Sequence, residues 1–168
     1  MHKAALSRIL TAVVLAATAV FALILLSLTE PMAGKSPELI LKNGKTGEII
    51  KRISFGEDKQ FSIRFLHSVN KTDVEEIYHI ENGKIYLEGC IYYSFGAGVA
   101  EELPPEWKLT FGKNGEMILS EIHTEMQRLS YFIGTIYDHI LKIDGREYSL
   151  TELCGKNTKV LFGLANIN

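Results

Sequence analysis

Short segments in which apolar and polar residues alternate recur along most of this chain, and they constrain its fold more than any other feature. Beyond Pro37, turn-forming residues separate these segments every eight to twelve residues, among them Asn82-Gly83 and Asp144-Gly145. Alternation with a period of two puts apolar side chains on one face of a strand, and tight turns join antiparallel neighbours. We therefore predict an all-β domain, either an antiparallel β-sandwich or a barrel-like domain.

The alternating pattern predicts strands throughout this domain, and one stretch departs from it. The predicted strands are Leu39–Asn43, Glu48–Phe55, Gln60–His67, Val74–Ile80, Lys84–Phe95, Trp107–Phe111, Glu116–Thr124, Asp138–Ile143, Glu147–Leu150 and Lys159–Leu164. In the departing stretch, apolar residues recur at helical spacing at Ile122, Met126, Leu129, Ile133 and Ile136. That spacing predicts a helix within Glu121–Tyr137, covering one end of the sheet.

A run of twenty uncharged residues, Ile9–Leu28, precedes the β domain. Twenty helical residues span about 30 Å, the thickness of the hydrocarbon core of a bilayer. Lys3 and Arg8 lie before the run, and Glu30 is the first charged residue after it. Because basic flanks stay cytoplasmic, we predict one N-terminal transmembrane helix in the cell membrane, with the C-terminal domain extracytoplasmic. A cleaved signal peptide and a buried core helix are the two alternatives.

This interpretation divides the chain into three parts: residues 1–29 as the membrane anchor or signal sequence, 30–37 as a linker, and 38–168 as the β domain. Residues 30–168 carry 16 Lys and Arg against 20 Asp and Glu, a net charge of −4. This balance argues against a nucleic-acid partner, because proteins that bind nucleic acids usually carry a basic face. The apolar content of 46% is too high for a disordered chain, and 168 residues are too few for a multidomain enzyme.

The chain has two cysteines, Cys90 and Cys154. An oxidising compartment permits a disulfide between them, which would close a loop of some 65 residues. The alternative is a pair of buried free thiols, because cysteine packs well as a small apolar residue. The spacing matches neither a zinc ribbon nor a redox pair.

A polar segment after the strand Gln60–His67 contains the first candidate site. His67 continues the face formed by Phe61, Ile63 and Phe65, so its imidazole is predicted to point toward the interior or line a pocket mouth. A hairpin would return Glu76 beside His67, with Tyr78 on the same face as Glu76. A structural polar cluster, a binding site and a catalytic site are the three interpretations.

Two other features have both a structural and a functional interpretation. Phe95-Gly96-Ala97-Gly98 ends the longest predicted strand, either as a bulge or corner, or as a nest of backbone N–H groups for an anion such as a carboxylate. His139 alternates with Leu141 and Ile143, which predicts a core histidine rather than a ligand. We predict no catalytic residue, no metal site and no cofactor, because the histidines lack ligand spacing and no serine-hydrolase elbow occurs.

Three segments of the chain resemble the domain-of-unknown-function 1850 family of bacteria and archaea. They are His67-Ser-Val-Asn-Lys-Thr-Asp-Val-Glu-Glu-Ile-Tyr78, Ser94-Phe-Gly-Ala-Gly98 and His139-Ile-Leu-Lys-Ile-Asp-Gly145, and the similarity covers roughly Ile49 to Leu164. Val99-Ala100 departs from the pattern, because a Leu-Pro-like continuation is expected after the glycines.

The resemblance implies a small extracytoplasmic protein, often anchored, whose family has no established activity. Genes of the family frequently lie beside tripartite ATP-independent periplasmic transporters of the TAXI type. The resemblance marks for contact with a partner or solute the positions His67, Ser68, Lys71, Thr72, Glu76, Tyr78, Gly96 and Gly98, and Ala97 lies between the two glycines.

We therefore expect an accessory or interaction module whose anchor meets the bilayer through residues 9–28. Its partner would be the membrane subunit or the solute receptor of such a transporter. The alternatives are a protein that binds a small carboxylate or a metal, and an extracytoplasmic hydrolase that uses His67 and Glu76.

Overall fold

Twelve strands and one short helix form the described part of the chain in a computed structural model, which describes residues 36–67, 71–93 and 103–165. The strands are β1 (Glu38–Asn43), β2 (Ile49–Ser54), β3 (Gln60–Leu66), β4 (Asp73–Glu81), β5 (Lys84–Tyr92), β6 (Lys108–Phe111), β7 (Met117–Ser120), β8 (Thr124–Glu125), β9 (Ser130–Ile133), β10 (His139–Ile143), β11 (Arg146–Ser149) and β12 (Thr158–Ala165). Helix α1 (Leu150–Cys154) lies between β11 and β12. The predicted all-β class is confirmed.

The strands form two open antiparallel sheets, so no barrel closes among the described residues. The smaller sheet has the order β2-β1-β12-β9. The larger sheet has the order β11-β10-β3-β4-β5-β7-β6, and β8 pairs with β5. Consecutive strands β3, β4 and β5 are neighbours, as expected for chain segments joined by short turns.

The main core lies between the two sheets. Alternate residues of both sheets point into it, including Leu39 and Leu41 from the smaller sheet and Ile63 and Leu141 from the larger, all fully buried. Burying a side chain of this size stabilises the fold by about 1.5–3 kcal/mol. The apolar alternation in the sequence therefore directs which face of each strand meets the other sheet.

The larger sheet extends beyond the main core on the side of β5 and β7. A second cluster there contains Cys90, Leu119 and Ile122, with Trp107 packed against it. The described members of this cluster come from the larger sheet and its connections, whereas those of the main core come from both sheets. A shift of register in the β4–β5 pairing leaves Glu88 unpaired, and the carbonyl of Glu88 accepts the Ile122 N–H at 3.3 Å.

The helix predicted within Glu121–Tyr137 is wrong. This stretch contains β8, β9 and turns, and the positive φ angles of Glu121 (61°) and His123 (42°) are incompatible with a continuous right-handed helix. Its apolar residues have different surroundings: Ile122 is buried in the second cluster, Leu129 is buried in the main core, and Ile136 is 81% exposed. The helical spacing therefore does not mark one buried face.

The short helix α1 was not predicted. The Ser149 side chain caps its first turn by accepting the Glu152 N–H at 3.0 Å, and Gly155 ends it at φ 79°.

Within the described residues, no helix is long and apolar enough to cross a membrane. The predicted span 9–28 and the linker as far as Lys35 lie outside the described residues.

Candidate functional site

A carboxylate between the two sheets organises the best-defined polar cluster of the domain. Strand β4 puts Glu76 and Tyr78 on its inner face, and the Tyr78 hydroxyl donates a hydrogen bond to Glu76 Oε2 at 2.8 Å. Tyr131, on β9 of the smaller sheet, donates its hydroxyl to the same oxygen. The two tyrosine oxygens are 2.7 Å apart. Glu76 therefore joins the two sheets through hydroxyl donors from each.

The number of protons limits what this cluster can do. Each tyrosine hydroxyl has one proton to donate, and an ionised carboxylate has none. When both hydroxyls donate to Glu76, neither proton serves the contact between Tyr78 and Tyr131. Each tyrosine therefore donates its one hydroxyl proton to Glu76. This arrangement is typical of polar groups that are hydrogen-bonded inside a fold.

Aromatic packing holds the two tyrosines in place. The Tyr78 ring stacks on Phe61 with centroids 4.9 Å apart, and the Tyr131 ring meets Phe65 and Phe162 edge-on at 5.8 and 5.7 Å. Burial raises the pKa of both tyrosine hydroxyls far above the usual value, and the neighbouring charge of Glu76 raises each further. Both hydroxyls therefore remain protonated donors throughout the physiological range.

His139, at the start of β10, lies beside this network. Its ring stacks on Phe65 at 5.5 Å and meets Tyr131 edge-on at 5.8 Å. Burial lowers the pKa of the imidazole, although the charges of Asp138 and Glu76 oppose that shift. The Nδ1 atom is buried, and it has no hydrogen-bond partner among the described residues. Burial thus favours the neutral form of His139, whose Nδ1 is left without a protein partner in the described part of the chain.

Asp138 fixes the backbone at the start of β10. Its carboxylate accepts the His139 N–H at 2.7 Å and the Thr151 N–H at 2.9 Å, so it also serves the first turn of α1. Burial raises the pKa of Asp138, but hydrogen bonds from Ser149 and Thr151 outweigh burial and lower the pKa overall. Asp138 therefore positions His139 through the main chain.

The cysteines are free thiols in the structure, and they lie in different clusters. Cys90 is opposite Glu76 in the β4–β5 pairing and is buried in the second cluster, whereas Cys154 packs against the main core. Burial raises the pKa of the Cys90 thiol to about 12, and the charge of Glu76 adds to the effect. Cys154 is half-buried, and burial raises the pKa of its thiol as well.

The predicted loop residues lie at the end of β3. Half-buried His67 donates its backbone N–H to the Thr72 carbonyl at 2.9 Å, and its own carbonyl accepts the Lys71 N–H at 2.9 Å. Lys71 is exposed at φ 57°, with its ammonium 5.9 Å from the centroid of the Tyr137 ring. Ser68 and the corner formed by Gly96, Ala97 and Gly98 lie outside the described residues.

The register of β3 and β4 separates two residues that the sequence analysis predicted side by side. Glu76 is opposite Ile63, which lies four residues before His67, or about 13 Å along the strand. The prediction that Glu76 returns beside His67 therefore disagrees with the backbone register. The prediction that Tyr78 shares a face with Glu76 agrees with the structure, in which the Tyr78 hydroxyl donates to Glu76.

Sequence reasoning missed Tyr131 as a partner of Glu76 and left His139 apart from the cluster. Tyr131 fell within the predicted helix, so no face could be assigned to it. For His139, a signal was available, since it alternates with the buried Leu141 and Ile143. That alternation predicted an inward-facing imidazole but could not show which carboxylate it approaches.

The outer face of the larger sheet has a shallow polar groove of about 240 Å³. Glu75, Lys142 and Asp144 contribute its charged lining, and the Ser62 hydroxyl donates to Glu75 at 2.6 Å. Within residues 36–67, 71–93 and 103–165, no group of three or more His, Cys, Asp or Glu residues is arranged to hold a metal ion.

Comparison with known proteins gives one match. The family model described as domain of unknown function, DUF1850, matches residues 61–150, which is more than half of the 168-residue chain and includes Glu76, Tyr78, Tyr131 and His139. Neither a curated protein nor a solved structure matches the chain. On the strength of the family match, the chain belongs to the DUF1850 family.

Proposed function

We propose that this protein is a membrane-anchored extracytoplasmic interaction module, an accessory of a tripartite ATP-independent periplasmic transporter of the TAXI type. In this proposal, the N-terminal segment 9–28 crosses the bilayer beside the membrane subunit of the transporter. The β domain contacts the solute receptor. No reaction is assigned to the domain.

One contrast in the domain carries the proposal. The hydroxyl protons of Tyr78 and Tyr131 are both donated to Glu76 inside the domain, while large apolar side chains are exposed to solvent elsewhere. Ile136 is 81% exposed and Phe132 is 61% exposed. Large exposed apolar side chains favour contact with another macromolecule, whereas hydroxyls that donate to an internal carboxylate favour stability. The uncharged run 9–28 supports a membrane anchor, and the basic residues before it support a cytoplasmic N-terminus.

Affinity purification of the chain from membranes of its native host tests the proposal. After chemical cross-linking, the tagged full chain is expected to recover the membrane subunit or the solute receptor of the transporter. The matched control replaces residues 1–29 by a cleavable signal peptide, which should reduce recovery of the membrane subunit because the anchor is lost. Recovery of the full chain without any transporter component would contradict the proposal.

A second function, binding of a small carboxylate or a metal, has one specific observation in its favour. His139 Nδ1 is buried beside Glu76 and Tyr131 and has no partner among the described residues. Buried polar atoms are usually hydrogen-bonded, and in the tautomer with its proton on Nδ1 this atom would donate to a ligand carboxylate. The described residues contain no three-ligand metal group, which makes the carboxylate the better candidate of the two.

Thermal unfolding with a panel of dicarboxylates, amino acids and divalent metals tests the second function. A ligand present at 100 times its dissociation constant is expected to stabilise the fold by about 2.7 kcal/mol. The variant His139→Phe should abolish that shift, whereas Phe111→Ser, on a distant strand, should leave it unchanged. A flat response to the whole panel would end this candidate. The hydrolase alternative has no such observation in its favour, because the backbone register places Glu76 opposite Ile63 and not opposite His67.

A further inference from the structure

Strand β6 lies at one edge of the larger sheet, and all four of its residues are exposed. Among residues 36–67, 71–93 and 103–165, it pairs only with β7. Charged side chains commonly protect a sheet edge from pairing with another chain. In β6, Lys108 is the only charged residue, whereas Phe111 is 61% exposed and Leu109 is 38% exposed. This edge is therefore open to an added strand.

The main chain of β6 has unused hydrogen-bonding groups on its open side. Directly after β6, the Gly112 N–H donates to the Glu116 carbonyl at 2.8 Å, across the turn to β7. The main-chain groups of successive residues alternate between the two sides of a strand, so those of Thr110 also point to β7. The N–H and C=O groups of Leu109 and Phe111 therefore point to the open edge.

The side chains of Leu109 and Phe111 extend an apolar face of the larger sheet. Leu109 is opposite Leu119 of the second cluster, and Phe111 is opposite Met117. Leu119 and Met117 are both buried, and residues directly opposite each other share a face of a sheet. The apolar face of β7 thus continues onto β6, where its last two side chains are exposed.

On the other face of the sheet, the Glu116 carboxylate lies over Gly112. Asn114 donates its side-chain N–H to Glu116 Oε1 at 2.7 Å and its backbone N–H to Oε2 at 3.0 Å, and these hydrogen bonds lower the pKa of Glu116. A Cβ atom at position 112 would collide with Oε2. A side chain placed opposite Gly112 across the open edge therefore meets a fixed, ionised carboxylate.

A second copy of β6 fits these features in a single antiparallel register. With Leu109 opposite Phe111 of the other copy, each pair can exchange both of its N–H···O bonds, because their main-chain groups point to the open edge. Their apolar side chains then lie side by side on one face. The twofold axis passes beside Thr110, which is opposite its own copy.

The same register brings opposite charges together. It places Lys108 opposite Gly112 of the other copy, where the partner's Glu116 carboxylate takes the place of a side chain. Directly opposite Cβ positions are about 4.5–5.5 Å apart, which a lysine side chain spans. Within its own chain, Lys108 has only an exposed contact with Glu121 at 3.8 Å, which contributes little. The two copies of Lys108 are four positions apart, or about 13 Å along the strands.

We propose that two copies of this chain associate through β6, antiparallel about a twofold axis, so that their larger sheets form one continuous sheet. Leu109 and Phe111 of the two copies pack together on one face, and Lys108 pairs with the partner's Glu116 on the other. Each contact occurs twice, so the assembly closes at two copies. The proposal goes beyond the proposed transporter partner and does not depend on it.

Site-directed cross-linking of the full chain in dilute detergent micelles tests the register. The two Thr110 residues form a non-hydrogen-bonded pair with Cα atoms about 4.5 Å apart, a separation that a disulfide accommodates. Under mild oxidation, Thr110→Cys should therefore form at least tenfold more disulfide-linked dimer than the wild-type chain. The matched control is Lys113→Cys, which is exposed but whose two copies lie at opposite ends of the paired strands. Equal yields from the two variants would overturn the proposal.

Charge reversal tests the pairing of Lys108 with Glu116. In the Thr110→Cys chain, Lys108→Glu and Glu116→Lys each bring like charges together, so each should lower the yield of cross-linked dimer about tenfold. Mixing the two variants should restore a heterodimer, because both of its contacts again join opposite charges. Tags of different size identify this species, and its recovery also shows that both variants fold. A mixture that gives no heterodimer would overturn the proposal.

Apolar contact is tested by a substitution that leaves the charge unchanged. Phe111→Ser should lower the yield of cross-linked dimer at least tenfold. The matched control is Phe132→Ser on β9, because Phe132 is also 61% exposed but lies in the other sheet, and it should change the yield less than twofold. Equal losses in the two variants would contradict the proposal.

Hydrogen exchange adds a structural measurement. The N–H groups of Leu109 and Phe111 should exchange more slowly in the wild-type chain than in Lys108→Glu, because the second copy accepts them. The Phe132 N–H is the control, since Phe162 donates to the Leu129 carbonyl and the alternation therefore turns Phe132 away from β12. Exchange at Leu109 and Phe111 that is equally fast in both chains would contradict the pairing.

Cross-linking in membranes of the native host identifies any other occupant of this edge. Thr110→Cys is expected to be recovered as a disulfide-linked dimer of this chain. A disulfide to a different protein, with none between two copies, would assign the edge to a partner strand and overturn the proposal. Loss of the cross-link in Lys108→Glu with transporter components still recovered would support the dimer and show that the interaction function does not require it.

The two proposals also fail separately. A wild-type chain that recovers no transporter component while Thr110→Cys cross-links to itself would contradict the interaction function and support the dimer. Transporter components recovered with no cross-link between copies of Thr110→Cys would do the reverse.

Discussion

Glu75 and Glu76 are neighbours in β4, yet they face opposite sides of the larger sheet. Glu76 faces the smaller sheet and accepts the hydroxyls of Tyr78 and Tyr131. Glu75 faces outward and accepts the Ser62 hydroxyl at 2.6 Å beside an open groove. The two carboxylates thus have the same kind of donor in different surroundings. Both carboxylates are half-buried, so the origin of their donors distinguishes them: tyrosines from two sheets bind Glu76, and the Ser62 hydroxyl of the neighbouring strand binds Glu75.

The surroundings set the energetic difference between the two. The rings that carry the donors of Glu76 are packed between the sheets, so removing both hydroxyls leaves the half-buried carboxylate beside apolar surface without either partner. On the outer face, water replaces a lost donor and screens the charge. We therefore expect large effects at Glu76 and small ones at Glu75.

The largest effect is expected from removing both inner donors. Tyr78→Phe/Tyr131→Phe keeps the rings but leaves Glu76 without its two hydroxyl partners, which should lower the free energy of unfolding by about 3–5 kcal/mol. Urea denaturation of the chain measures this loss. Adding Glu76→Leu should restore most of it, because the unpaired carboxylate is then absent. An unchanged double variant would show that Glu76 is not held by these tyrosines.

Alkaline pH is expected to have the next largest effect. Burial raises the pKa of Tyr78 in the folded chain, whereas an unfolded tyrosine ionises near pH 10. Above pH 10 the unfolded chain therefore loses protons that the folded chain keeps, and stability falls by up to about 1.4 kcal/mol per pH unit for this tyrosine. Unfolding between pH 9 and 11.5 should show a shallower decline in Tyr78→Phe. The exposed control Tyr137→Phe should follow the wild-type profile.

A smaller loss of stability is expected at acidic pH, and it arises from His139. Burial lowers its pKa in the folded chain, so below about pH 6.5 the unfolded chain binds a proton that the folded chain does not. Stability should therefore decline as the pH falls from 6.5 to 5, and His139→Phe should make the decline less steep. Thermal unfolding across this range measures it. The control is His123→Phe, since the His123 side chain is 56% exposed; a similar flattening in the control would remove His139 as the cause.

The smallest effect is expected on the outer face. Ser62→Ala removes one hydroxyl donor to Glu75 and should cost about 0.5–1.5 kcal/mol, the net contribution of a single hydrogen bond, because Ser62 is buried. A double-mutant cycle with Glu75→Gln gives the coupling energy of this pair. The same cycle with Tyr131→Phe and Glu76→Gln should give a larger value. Equal couplings would mean that the two faces of β4 do not differ as the geometry implies.

The alternation of apolar and polar residues, together with the turn-forming residues, was enough to predict much of the fold. Alternating residues predicted the strands, and the Asn82-Gly83 and Asp144-Gly145 turns predicted two hairpins, because strand faces and tight turns depend on neighbouring residues. The contact of Tyr78 with Glu76 followed for the same reason, since residues two apart share a face. The pattern could not distinguish a sandwich from a barrel, because closure depends on which strands lie at the sheet edges.

The candidate site shows where local pattern stopped being sufficient. The apolar spacing of Glu121–Tyr137 predicted a helix, and Tyr131 was therefore not recognised as the donor from the second sheet. The loop after β3 was predicted to return Glu76 beside His67, but the register places it opposite Ile63. A shift in register by one or four residues changes which residues of two paired strands are opposite each other. It leaves the alternation of apolar and polar residues within each strand unchanged.

By itself, the sequence determined that this chain forms antiparallel strands with defined inner and outer faces, because alternation acts within each strand. Only the tertiary structure decided that Tyr131 and His139 approach Glu76, and that Phe132 and Ile136 remain in solvent at the end of the smaller sheet. Those outcomes depend on strand order, register and the unequal widths of the two sheets. They arise from contacts between residues far apart in the chain, which no local spacing encodes.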